Sequence, residues 1–243
     1  MDKYPAKIKF CPIQEAVFEI RFSSFLPSQA VFGITYQTIN KHFSDSKLIQ
    51  LPILQLPEAV RQSDPNLVYQ PLHRLQKGNL SISIGPKVIS FANQAPYIGW
   101  TVWKEQLLTI LSAFVEAGIC HKIERSGLRY INILKVPLFD ATNTKIQIIN
   151  DTLTSQSTTM RTEIKKEAET IIMQLSNNVN VAVNNASFLG SVIDIDVLID
   201  LNIDNAKFGE KMDEILNTSH THEKELFFKL LKPDFLSTLE PLY

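Results

Sequence analysis

Residues 16–22 read Ala-Val-Phe-Glu-Ile-Arg-Phe, and they alternate strictly. Ala16, Phe18, Ile20 and Phe22 point one way, while Val17, Glu19 and Arg21 point the other. A period of two describes a strand with one buried face and one wet face. The chain must therefore supply a cover for that apolar face. Residues 99–117 are the clearest amphipathic helix: Trp103, Leu107, Ile110, Leu111 and Phe114 fall at i, i+4, i+7, i+8 and i+11. Gly118 suits its C-terminal cap. Pro27-Ser28 opens a second helix over 28–43, with Val31, Ile34, Ile39 and Phe43 as its apolar positions.

Three further strands are predicted over 68–76, 80–84 and 87–93, with turns at Lys77-Gly78-Asn79 and Gly85-Pro86, an antiparallel meander. Leu51–Pro57 holds two prolines and reads as an edge strand or loop. Arg125–Pro137 is a strong strand ended by proline. The stretch 140–158 is polar and reads as a linker. Strands follow over 159–166, 170–177, 179–184 and 191–202, with Asn177-Asn178 and Asn184-Asn185 at the turns between them. Helices over 206–217 and 220–239 close the chain. The expected fold class is α+β in two lobes, each a mainly antiparallel sheet with helices packed on one face. The domains are a basic N-terminal lobe (1–137), a polar linker (138–158) and an acidic C-terminal lobe (159–243).

Charge follows that division. Residues 1–137 carry 15 Lys and Arg against 9 Asp and Glu, a net +6. Residues 138–243 carry 9 against 16, a net −7, so the total is −1. Two attracting lobes, or a basic surface for an anionic partner, would produce such a split. Hydrophobic residues make up 44% of the chain, which is enough for a sizeable core and excludes wholesale disorder. Cys11 and Cys120 form no disulfide framework and lack metal-ligand spacing. Both are expected as core-facing free thiols of a cytoplasmic protein. The start, Met1-Asp2-Lys3-Tyr4-Pro5, has no apolar core of a signal peptide. Apolar stretches are interrupted well short of the ~20 residues of a membrane span, so no membrane partner is expected.

Four stretches carry a resemblance. They are Pro12-Ile13-Gln14-Glu15-Ala16-Val17-Phe18-Glu19-Ile20-Arg21-Phe22, Arg125-Ser126-Gly127-Leu128-Arg129-Tyr130-Ile131-Asn132, Ile193-Asp194-Ile195-Asp196-Val197, and His222-Glu223 with Phe227. Together they resemble a sporadically distributed, uncharacterised prokaryotic protein family of about this length. The shared motifs are of the fold, not of a chemistry. A patchy distribution implies horizontally moved genes, such as those of defence or toxin–antitoxin loci.

The candidate binding surface for a ligand or partner is Glu19, Arg21 and Arg129, with Tyr97 and Trp100 beside them. Arginine grips phosphate or carboxylate bidentately, and an aromatic flank suits a planar ligand. Glu19 and Arg129 are expected to pair across neighbouring strands. Asp194 and Asp196 share a strand face and are weak candidates for a metal; otherwise they form a solvated face or one paired with Arg161 and Lys165. His220, His222 and Glu223 are expected at the start of the last helix, capped by Ser219 or Thr221. Phe227, Leu231 and Phe235 form an apolar stripe that packs on its own sheet or serves as an interface. Only 8 glycines occur, none in a phosphate-binding cluster, so no cofactor is expected. The basic residues of the first lobe are scattered and no nucleic-acid-binding signature is present, so nucleic acid is not favoured as a partner. The leading function is a non-enzymatic interaction or regulatory protein acting with an operon partner, with a homo-oligomer allowed. The alternative is a binder or hydrolase of an anionic small molecule such as a nucleotide, and nucleic-acid binding is weaker.

Overall fold

The computed structural model describes residues 4–183 and 186–243. Nine strands form one sheet. In chain order they are β2 (Ile13–Ser23), β3 (Lys47–Gln50), β4 (His73–Lys77), β5 (Leu80–Ile84), β6 (Val88–Gln94), β7 (Lys122–Leu134), β10 (Thr158–Lys166), β11 (Glu169–Val183) and β12 (Ala186–Asp204). Their spatial order is β10-β11-β12-β7-β2-β6-β5-β4-β3, every neighbouring pair antiparallel. Two small ribbons lie outside it: β1 (Lys7–Ile8) with β13 (Pro241–Leu242), and β8 (Gln147–Ile148) with β9 (Asp151–Thr152). The helices are α1 (Ser28–Asn40), α2 (Glu58–Ser63), α3 (Trp100–Glu116), α4 (Leu138–Ala141), α5 (Asn205–Leu230) and α6 (Pro233–Thr238).

The two sheets expected from the sequence are one. β7 of the basic half pairs with β12 of the acidic half from Ser191↔Leu134 to Asp204↔Lys122. Alternation decides which face is covered. Ala16, Phe18, Ile20 and Phe22 are buried against Leu128, Phe91, Trp103, Leu107 and Phe114, the strand and helix faces read from the sequence. A second apolar cluster joins Ile171, Met173, Leu175, Ile193, Ile195 and Val197 to Phe227, Leu231 and Leu239. α5 spans both clusters, with Phe208, Ile215 and Leu216 in the first and Phe227 in the second.

Several boundaries moved. The predicted strands 170–177 and 179–184 are the single strand β11, and Asn177-Asn178 is a bulge, not a turn. Asn178 holds φ 49°, a conformation asparagine tolerates. The Asn184-Asn185 turn lies outside the described residues. The strand expected over 68–76 is confined to His73–Lys77, and β3 was not foreseen. Helices 206–217 and 220–239 are one long helix, then a break at Leu231 and the short α6. The α5 N-cap is Asp204, which accepts from the Lys207 N–H at 2.8 Å, so Ser219 and Thr221 cap nothing. The polar run Asn-Thr-Ser-His-Thr-His favours a break locally. Packing overrides it, because Leu216, Ser219, Glu223 and Phe227 continue one buried stripe.

The polar segment 138–158 is fastened to the sheet. Leu138 and Ala141 are buried. The side chain of Asn177, fully buried, accepts from the Leu138 N–H at 2.8 Å and donates to the Gln156 carbonyl at 2.8 Å. Asn178 donates to the Ser155 carbonyl at 2.6 Å, and Lys232 to that of Phe139 at 2.6 Å. Asn177→Ala would strand the buried Leu138 N–H, which costs about 1–3 kcal/mol. The expected outcome is a lower melting temperature with faster proteolytic cutting within 138–158. An unchanged cutting rate would show that other contacts hold the segment.

Candidate functional site

The uncovered face carries the predicted arginines, in different pairs from those expected. Glu19 sits opposite Gly127, and Val17 is the residue opposite Arg129. Glu19 Oε1 therefore accepts from Arg21 Nε at 2.9 Å and from Arg125 Nη2 at 3.3 Å. Arg21 and Arg125 face each other across the strands, and Glu19 offsets their repulsion. The Tyr69 ring covers the Arg21 guanidinium at 4.5 Å. Arg129 grips Asp194 with both arms, Nε–Oδ1 at 2.8 Å and Nη2–Oδ2 at 2.6 Å. Asp194 is thus engaged by Arg129, not by Arg161 or Lys165; Arg161 pairs with Glu163 at 2.8 Å. Burial holds the Asp196 carboxyl up at about 6, against the opposing pull of Arg129 and Arg125. The weak metal reading for Asp194 and Asp196 loses its free ligand. Among the described residues no three His, Cys, Asp or Glu side chains gather as metal ligands.

Tyr97 and Trp100 are not on this face. They line a cavity of about 500 Å³ on the helix-covered side, and the sheet separates them from Glu19, Arg21 and Arg129. The reason is alternation within β7: Arg129 points out, and Tyr130, one residue on, points in, where its hydroxyl lies 3.0 Å from that of Tyr97. Phe227 and Leu231 are buried and Phe235 packs against them, so the apolar stripe belongs to the second core cluster. Cys120 is buried as expected; Cys11 is exposed and lies at the cavity.

The cavity is built mainly from the N-terminal strap, β7, α3 and α5. The N-terminal strap contributes Pro5, Lys7, Ile8 and Cys11. The strap is held by β1–β13 pairing and by Tyr4 stacked on Phe228 at 5.8 Å. β7 supplies Tyr130 and Asn132 from the floor. α3 contributes its first turn, Trp100, Thr101 and Val102, which no side chain caps. Gly99 starts that turn at φ 91°, a conformation other residues rarely hold. Asn93 fixes the approach by accepting from the Ile98 N–H at 2.9 Å. α5 adds one wall: His220, Lys224 and Phe228 recur every four residues, with Glu223 and Phe227 beside them.

Glu223, expected in the first turn of the last helix, lies instead inside α5 as a buried residue. It is 5% exposed and accepts no hydrogen bond or ion pair from the described residues. Burial alone raises its carboxyl from 4.5 to about 8. The signal was present: Glu223 stands seven residues after Leu216 and four before Phe227, a charged residue at a core position of the stripe. His220 stacks on Trp100 at 4.0 Å and 11°, and burial, with Lys224 and Lys104 adding to it, drops its imidazole to about 3. It is neutral at physiological pH. With the proton on Nε2, His220 Nδ1 accepts from the Tyr130 hydroxyl at 3.4 Å. Burial raises both tyrosine hydroxyls, so neither ionises. His222, two residues on, turns to the other side and pairs with Glu169. Compared with protein-family models and with curated proteins, the chain finds no match.

Two consequences can be measured. Asp194 is buried, so Arg129→Ala leaves its carboxylate unpaired and costs about 1–3 kcal/mol, more than a surface pair would. An unchanged melting temperature would make the pair superficial. For Glu223 the folded acid is weaker than the unfolded one, so the folded chain holds more protons between pH 4.5 and about 8. Stability must fall as pH rises through that window and level off above it, a loss of about 2–5 kcal/mol. Glu223→Gln cannot ionise. Its melting temperature should match the wild type at the acid end and exceed it above the upper limit; parallel pH profiles would refute the buried acid.

Proposed function

We propose that this protein is a non-enzymatic, ligand-responsive interaction protein whose cavity takes a small amphipathic anion, a carboxylate or phosphate ester with an apolar or aromatic body. The observation that carries this reading is the Glu223 carboxyl, without a hydrogen-bond partner among the described residues, at a cavity that also holds an uncapped helix start and two lysines. The free N–H groups of the α3 first turn favour negative charge, as do Lys7 and Lys224. With its proton retained, Glu223 donates to an anion instead of repelling it. Trp100, Tyr97 and Phe228 supply apolar walls for the body of the ligand. The volume suits a ligand smaller than a dinucleotide.

The non-enzymatic part rests on the groups beside Glu223, none of which is activated as a nucleophile or a base. His220 at about 3 is a poor proton acceptor near neutrality, and the tyrosine hydroxyls are raised, not activated. The two free cysteines support a reducing, cytoplasmic setting. No helix among the described residues is long and apolar enough to cross a membrane. A partner encoded nearby, in a defence or toxin–antitoxin setting, is proposed from the family resemblance. The wide charged sheet face suits contact with such a partner.

Both tryptophans of the chain stand at or beside the cavity, so their fluorescence reports binding directly. Titration with phenylacetate, phenyl phosphate and phenethylamine separates the charge classes. The two anions should bind and the amine should not. Lys224→Ala should weaken the anions about tenfold. Wild-type affinity should fall as pH rises past about 8, while Glu223→Gln binds with no such fall. Binding of the amine, abolished by Glu223→Gln, would instead make this a cation site.

A further inference from the structure

The strand β10 is one edge of the nine-stranded sheet, and only β11 pairs with it. Its sequence, Thr-Thr-Met-Arg-Thr-Glu-Ile-Lys-Lys, has no proline, and its outer half from Glu163 to Lys166 is exposed. An unpaired edge offers a row of N–H and carbonyl groups to another strand. We infer that β10 docks on β10 of a second copy of this chain, antiparallel about a two-fold axis at Thr162, and continues the sheet across the dimer.

The register comes from the strand itself. Full overlap of Thr158–Lys166 with its own mate places Thr162 at the centre. Met160 then faces Ile164 and Arg161 faces Glu163, each pair occurring twice. Lys165 and Lys166 face Thr159 and Thr158, so no like charges meet. A shift of the centre by one residue puts Arg161 against Arg161, or Glu163 against Glu163 with Arg161 against Lys165. The full-overlap register is therefore also the complementary one, an isologous contact. The apolar side agrees. Met160 packs at the rim of the second core cluster and Ile164 is 36% exposed beside it, so two such rims meet across the axis. In the single chain Arg161 already pairs with Glu163 at 2.8 Å, and the dimer exchanges the two such bonds, one in each copy, for two between copies.

Sedimentation velocity of the full chain over a range of concentrations should show a reversible dimer that weakens with salt. Glu163→Arg, which sets Arg against Arg twice, should weaken it about tenfold or more. The double variant Arg161→Glu with Glu163→Arg restores the complementarity and should restore the dimer. In a Cys11→Ser background, Thr162→Cys should cross-link between chains on oxidation, because directly opposed side chains come within disulfide reach, and Thr158→Cys should not. Thermal melting checks that each variant folds. A chain that stays monomeric at every concentration overturns the inference. So does a dimer indifferent to Glu163→Arg, or equal cross-linking at 158 and 162.

Discussion

Strand β7 carries hydrogen bonds on both sides, to β2 and to β12, and the rest of the structure depends on that double pairing. It joins the two ends of the chain's charge split. Residues with an excess of lysine and arginine meet residues with an excess of aspartate and glutamate along one ladder. The attraction is expressed locally, as Arg129 on Asp194, not as a field between two bodies. The pairing also places α5. Because β12 ends at Asp204 beside Lys122, the helix that follows must run back over the sheet. In doing so it carries His220 and Glu223 to Tyr130. One strand thus sets both the charged face and the cavity floor, through residues adjacent in sequence and opposite in direction.

Elements with one strong local period were legible in the sequence. β2 was read from Ala16–Phe22 and α3 from Trp103–Phe114, and both bury the residues expected of them. Strands β5, β6 and β10 matched within a residue or two. The failures share a physical cause. At Asn177-Asn178 the residue type suggests a turn, and a bulge uses the same chemistry: a left-handed backbone at Asn178 and side-chain bonds from Asn177 to the chain above. At Asn217–His222 local propensity argues for a helix end, while burial on both sides of it keeps the helix going. Which strands are neighbours is non-local, so neither the single sheet nor the Glu19–Arg125 pair could be read from spacing. The same ignorance put Tyr97 and Trp100 beside Arg21, when the sheet lies between them.

The two faces of β7 invert the usual reading of charge as function. The visible charges, Glu19, Arg21, Arg129 and Asp194, all hold partners, and their chemistry is spent within the sheet. The hidden one, Glu223, holds none among the described residues. A leucine at that position would fill the stripe between Leu216 and Phe227 without any desolvation penalty. A side chain that breaks the local pattern and gains no bond in return marks a place where folding and use make different demands. The surroundings favour the proposed use: an uncapped helix start, two lysines and a stacked imidazole all place donors around that carboxyl. Donors collected without an acceptor are complementary to an anion. Under the proposed reading, the cost carried by Glu223 would be returned when an anion accepts its hydrogen bond. Such binding would stabilise the fold most where the carboxyl still holds its proton, and would tie occupancy of the cavity to the packing of α5 on β7.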